Sequence, residues 1–230
     1  MHIPDGYLGP PTYIAAYAAC TPLWGIAARK VRESIDTRRA PLLAIAAAFS
    51  FLLMMFNVPL PGGSTGHAVG GVLIAIAVGP WGAMLSISIA LAIQALLFGD
   101  GGVTAIGANC LNIAFVMPFT GYYTYRLLSR MVSSERGKAL IAGIAGYIGI
   151  NAAAFTTAVM FGIQPLLHTA PDGRALYAPY PLSVAIPVMM IQHMTVIGAV
   201  EALVTGLVVQ YLRKSKSAWV IGPQESGPAR

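Results

Sequence analysis

Residues 139–163 read ALIAGIAGYIGINAAAFTTAVMFGI, with no charged side chain from Ala139 to Ile163. A hydrocarbon layer of ~30 Å takes ~20 helical residues, so this run is long enough to cross one. The stretch before it, Arg126 to Lys138, is basic. The same alternation recurs along the chain. Further apolar runs cover about 10–28, 40–58, 68–79, 81–98, 103–129 and 182–212. The run 68–79 is short for a span and reads as half-buried beside a loop. A Gly79-Pro80-Trp81 turn separates it from the next, because proline and glycine punctuate helices. The pattern predicts an all-α polytopic membrane bundle of about seven transmembrane segments.

Composition agrees. Hydrophobic residues make up 57% of the chain and charged residues 10%, too few charges to clothe a soluble globule. A net charge of +6 would by itself suggest nucleic acid, but the placement of the charges excludes that partner. They cluster in Arg29-Lys30-Val31-Arg32, Arg38-Arg39, Arg126 to Lys138 and Arg213 to Lys216, each just outside an apolar run. That is the pattern of cytoplasmic loops. Loops 29–39 and 130–138 and the tail 213–230 are then expected inside, and loops 59–67, 99–102 and 164–181 outside. The outer loops carry one basic residue, Arg174. Seven spans place the N-terminus outside and the C-terminus in the cytoplasm, in a cell membrane. The chain divides into a transmembrane domain, 1–212, and a flexible polar tail, 213–230.

Other classes find no support. Cys20 and Cys110 lie in apolar runs and form no CxxC motif. No HExxH helix, GxSxG elbow or Walker lysine loop is present, so neither an enzyme nor a self-contained ATPase is expected. No inverted repeat of the kind found in many secondary transporters stands out.

The N-terminus carries the most specific chemistry. It reads Met1-His2-Ile3-Pro4-Asp5-Gly6-Tyr7-Leu8, without the basic n-region or cleavage site of a signal peptide. Initiator methionine is trimmed before small residues, so bulky His2 predicts that Met1 stays and offers a free α-amine. Met1 amine and His2 amide close a five-membered ring on a metal; His2 amide and Nδ1 close a six-membered one. Such a set lies flat, and flat nitrogen ligation suits Ni(II) or Cu(II). The Pro4-Asp5-Gly6 turn can fold the terminus back onto the protein.

A fourth nitrogen would complete a square. By topology His67 is the best candidate. It ends the outer loop Pro59-Leu60-Pro61-Gly62-Gly63-Ser64-Thr65-Gly66-His67, whose glycines allow close approach to another segment. The plainer reading is an interfacial histidine at a helix start. His168 sits in the outer loop with Asp172, Tyr177 and Tyr180 and reads as solvated. His193 and Glu201 lie inside the last apolar run, where an ionisable group suggests function; packing or a partner subunit explains them better than a metal pathway.

Gln94 and Asp100 flank the segment Leu97 to Gly102, and Asn109 and Asn112 follow one turn apart. Buried amides of this kind bond between helices or orient metal ligands from behind. Asp5, Ser64, Gln94 and Asn109 are the candidates for the second role. Small residues at four-residue spacing, Ala15/Ala19, Ala44/Ala48, Ala139/Gly143 and Ala142/Gly146, permit close helix packing, within the protein or against a partner.

These residues resemble a known family. The opening Met1 to Leu8, Gly66-His67, Gln94 to Gly102, Gly107-Ala108-Asn109 and the stretch from His193-Met194 to Glu201-Ala202-Leu203 look like the CbiM/NikM proteins. Those are the substrate-binding S components of energy-coupling factor transporters for cobalt and nickel. The likeness spans most of residues 1–212. It implies metal ligands at Met1, His2 and His67. It also implies a transmembrane T component and paired cytoplasmic ATPase subunits as partners, and leaves room for a small accessory membrane subunit. Ser64-Thr65-Gly66-His67 looks closer to the nickel branch. The expectation is capture of Ni(II), with Co(II) as an alternative, at a square of four nitrogens. The rival is a self-sufficient metal channel or secondary transporter, which should string ionisable groups through its spans. Apart from His193 and Glu201 the runs lack them.

Overall fold

The structure, a computed structural model, describes residues 1–34, 40–60 and 64–215, with Ser64 described in its backbone alone. It is built from α1 (Pro10–Ser34), α2 (Ala40–Met55), α3 (Gly71–Val78), α4 (Pro80–Ile93), α5 (Ile106–Asn109), α6 (Met117–Leu128), α7 (Glu135–Gly162), α8 (Gln164–Leu167), α9 (Leu182–Gln192) and α10 (Gly198–Lys214). Three π turns make some of these continuous. One extends α4 over Gln94–Phe98, one joins α5 to α6 over Cys110–Val116, and one joins α9 to α10 over His193–Ile197. The apolar runs of the sequence therefore correspond to helical bodies. Three stretches among the described residues are long and apolar enough to cross a membrane: Pro80–Phe98, Glu135–Leu167 and Leu182–Lys214. Arg38, Arg39 and most of the predicted tail, residues 216–230, lie outside the described residues. Arg213 and Lys214, assigned to that tail, instead continue α10.

Burial is inverted relative to a soluble bundle. Along α7, Ala139, Ala142, Gly143 and Gly146 are buried, while Leu140 is 67% exposed. Across from it on α10, Leu203 and Leu207 are also exposed. Large apolar side chains face outward and small ones face the neighbouring helix, as lipid-embedded helices require. A Cβ on Gly143 would lie 2.9 Å from the Ala202 carbonyl, and one on Gly146 2.9 Å from Thr205 Oγ1. Backbones this close leave no room for a larger residue. Ala15, Ala19, Ala44 and Ala48 are exposed, so their spacing serves no close packing among the described residues. At the basic end, Arg213 Nη1 meets Glu135 Oε2 at 2.9 Å; with Glu135 exposed, that pair contributes little.

Two local features were not legible as helix. An antiparallel hairpin, β1 (Val58–Leu60) and β2 (Ser64–Gly66), pairs Val58 with Gly66 and Leu60 with Ser64. The predicted loop is therefore partly strand; Pro61, Gly62 and Gly63 at its tip lie outside the described residues. The following apolar run begins its helix at Gly71 instead of Ala68. Gly70 takes φ 70°, a left-handed conformation that favours glycine, and a Cβ there would meet Phe49 Cε1 at 2.6 Å. Residues 67–70 thus form an irregular strap between hairpin and α3, and His67 lies on it, not at a helix start.

Candidate metal centre

Residues 1–9 form no helix or strand, yet bonds at alternate residues tie them down. Ile3 N–H donates to Asn109 Oδ1 at 2.8 Å and Ile3 O accepts from Asn109 Nδ2 at 3.1 Å. Gly102 N–H donates to the same carbonyl at 2.8 Å. Asp5 accepts from Val103 N–H at 3.0 Å, Thr104 N–H at 2.9 Å and the Thr104 hydroxyl; the Thr104 hydroxyl bond holds its carboxyl below the usual range. Tyr7 O accepts from Ala178 N–H at 3.1 Å. Gly9 N–H donates to Gln164 Oε1 at 2.9 Å, whose Nε2 donates to Met160 O at 2.8 Å. Ile3 and Leu8 are buried with Ala16, Ala105 and Ala108. A backbone without secondary structure survives burial only if its polar groups find such partners.

This anchoring brings the first two residues against His67. The His2 and His67 rings stand 4.7 Å apart between centroids, tilted by 49°. Burial lowers the Met1 amine to about 6, against the pull of the Asp100 charge. His67 is held well below its usual range by burial, then by the amine and His2 charges, with His193 also contributing. Amine, two imidazoles and Asp100 therefore occupy one neighbourhood. His67 Nδ1 lies 3.2 Å from the Ala68 carbonyl. A carbonyl only accepts, so Nδ1 carries the proton and Nε2 keeps its lone pair. A histidine poised this way has Nε2 free to accept a proton or a metal.

His2 departs from the simple chelate. Its Nδ1, the nitrogen needed for the six-membered ring, lies 2.9 Å from Asp100 Oδ1. Nε2 is buried without a hydrogen-bond partner. Burial lowers the ring's pKa more than Asp100 raises it. The contact is thus a neutral N–H donating to a carboxylate, and it holds Asp100 below its usual range.

The orienting candidates separate. Asn109 holds the terminal segment by its backbone, and Asp5 ties it to Val103 and Thr104 by its side chain. Gln94 is fully buried with no partner for its amide atoms, while its carbonyl accepts from Gly99 and Asp100 N–H and so shapes the Asp100 turn. The Ser64 side chain lies outside the described residues. Asp100 was seen in the sequence as a flanking group but not as a partner of His2; an acid between glycines in an outer loop was the available signal. Gln164, unremarked in the sequence, is the other anchor. His168, expected to be solvated, is half-buried, with its ring against Gly9 and 5.1 Å from that of Tyr177. Among the described residues no three His, Cys, Asp or Glu side chains cluster to hold a metal ion.

Residues 2–219 match the family model described as CbiM, cobalt uptake substrate-specific transmembrane region. The fused nickel transport protein NikMN of Rhodobacter capsulatus is 50% identical over 216 residues, 94% of this chain and 62% of that protein. The chain thus spans less than two thirds of that relative. The crystal structure of a truncated transition metal transporter superposes with a TM-score of 0.88 at 54% identity, covering 94% of this chain and 99% of that one. A second, titled as a transition metal transporter, gives the same score and identity over 93% of its chain.

Proposed function

The chain belongs to the CbiM family of multi-pass membrane proteins, and on that premise we propose that it is the metal-binding subunit of an ATP-driven importer. It takes Ni(II), with Co(II) as second substrate, at the outer face through four nitrogens. These are the Met1 amine, the His2 amide, His2 Nδ1 and His67 Nε2. The observation that carries this reading is the burial of the Met1 amine beside the His2 and His67 rings. A chain terminus is normally left in water; an amine lowered to about 6 is neutral at neutral pH and free to bind metal.

Capture exchanges one bond for another. The His2 ring turns about Cβ–Cγ and gives up Asp100; its proton passes from Nδ1 to Nε2, and Nδ1 presents its freed lone pair to the metal. Asp100 keeps its negative charge beside the incoming cation. The ATPase and T component are separate subunits in this reading. The CbiM family match and the fused transport protein among the relatives support a role as one component of a larger transporter. In cells, radioactive nickel should accumulate only when the chain is coexpressed with a T component and ATPases. Equal uptake by the chain alone would favour the self-sufficient channel.

The pKa of the amine sets the pH dependence. Binding through the His2 amide releases its proton, so affinity rises with pH. In a free Met-His peptide the amine, at its usual value of 8.0, also loses a proton on binding at neutral pH. Here it has already done so above about 6. Between about pH 7 and the amine's usual value of 8.0, the logarithm of the Ni(II) association constant should therefore climb about one unit per pH unit in the protein and nearly two in the peptide, the two slopes converging at higher pH. Calorimetric titrations at several pH values read both slopes; equal slopes would overturn the buried-amine ligand. Cu(II) and Ni(II) should outbind Co(II) and Zn(II), as flat nitrogen coordination favours them.

A further inference from the structure

We infer that Glu201 is a positioning residue for metal capture, holding His67 from the far side of the strap that carries it. The inference rests on the four-nitrogen reading above. Glu201 is fully buried in α10 and spends its carboxylate on the backbone of the strap. Val69 N–H donates to Oε2 at 2.7 Å; Gly70 N–H lies 3.1 Å from both oxygens. Thr205, one turn further along α10, reaches Oε1 at 3.4 Å. From the other side, Ser50 Oγ on α2 donates to Val69 O at 2.9 Å. The strap is pinned at both polar groups of Val69, two residues from His67.

The same helix face also bears on the hairpin. Ile197 precedes Glu201 by four residues, and neighbours at that spacing share a face. A Cβ on Gly66 would lie 2.7 Å from Ile197 Cδ1 and Cγ1. The last helix thus touches the chain at Gly66, directly before His67, and at Val69–Gly70, two and three residues after it. Two features follow from this grip. The strap has no regular structure of its own, so its shape is set by what binds it. The amides at the start of α3, which lack helical partners, are the groups a carboxylate satisfies best. A metal ligand needs its nitrogen held to a fraction of an ångström, and here that precision comes from α10 through Glu201.

The test is a double-mutant cycle. Glu201→Gln keeps the size but turns an NH2 toward one of the backbone N–H groups, so one of the charge-assisted bonds becomes a donor facing a donor. In the otherwise unaltered full chain, Ni(II) affinity should fall about tenfold, the scale of losing a hydrogen bond to a charged group, and the visible absorption of bound nickel should shift. In a His67→Ala background the same substitution should change affinity less than about twofold, since its effect passes through His67. An equal fall in both backgrounds, or none in the first, overturns the positioning role. If Glu201→Gln does not yield folded protein, Ser50→Ala loosens the same strap from α2 and should show the same dependence on His67, to a smaller extent. Should His67→Ala by itself leave nickel binding unaltered, the four-nitrogen reading falls and this inference with it. If His67→Ala weakens binding but the cycle is additive, the inference alone falls.

Discussion

Adding a segment of several residues ahead of Met1, long enough that the new amine cannot reach the His2 chelate, is expected to abolish tight nickel binding while the helices still assemble. The α-amine becomes an amide, and His2 is no longer second in the chain. The five-membered ring then ends on an amide nitrogen, which donates only after losing a proton of its own. The pocket adds a steric reason, because the amine is buried and Ile3 next to it is fully buried. The loss should exceed the ~100-fold that removal of a ligand's outer partner causes. Calorimetry on the extended protein, with thermal unfolding in detergent to show that it folds, measures this. Undiminished affinity in a folded extended chain would exclude Met1 as a ligand.

His67→Ala should have the next largest effect. It removes one nitrogen and leaves the terminal chelate of three. Affinity is expected to drop by at least about 10- to 100-fold, and bound nickel should change its spectrum as the fourth position passes to a weaker donor. In the unaltered protein, Ni(II) in a flat four-nitrogen field is low-spin and diamagnetic. An octahedral paramagnetic centre would contradict the proposed set even if metal still bound near His2. His168→Ala is the control. Its ring rests on Gly9 and Tyr177, so removing it should leave the nickel spectrum unaltered.

The helical bodies were legible because lipid solvation makes hydrophobicity nearly one-dimensional. Apolar runs bounded by basic loops mark segments without any knowledge of what they touch. The grouping of Met1, His2 and His67 was legible from covalent chemistry and sidedness. What was not legible depended on contacts between distant segments. Nothing local in Asp100 announces the bond to His2, nor in Gln164 the grip on Gly9, nor in Glu201 the amides of Val69 and Gly70. The hairpin before His67 was hidden by glycines and prolines that read as loop. The late start of α3 was hidden because Ala68 and Val69 are apolar enough to continue a helix. The Val69 amide and carbonyl instead serve Glu201 and Ser50.

The tethering of residues 1–9 also imposes an order on biogenesis. In a chain that starts at Met1, the first residues made are clasped by Asn109, Gln164 and Ala178, which leave the ribosome much later. Until then the terminus has nothing to dock on and stays open to processing enzymes. A formyl group on a bacterial initiator methionine must come off in that interval, because afterwards the nitrogen is enclosed. Molecules that fold before deformylation would carry every side chain of the proposed centre and still lack the free amine proposed as its first ligand. Slowing the deformylase in cells would then create a correctly inserted but metal-blind population, distinguishable by the mass of its terminal peptide.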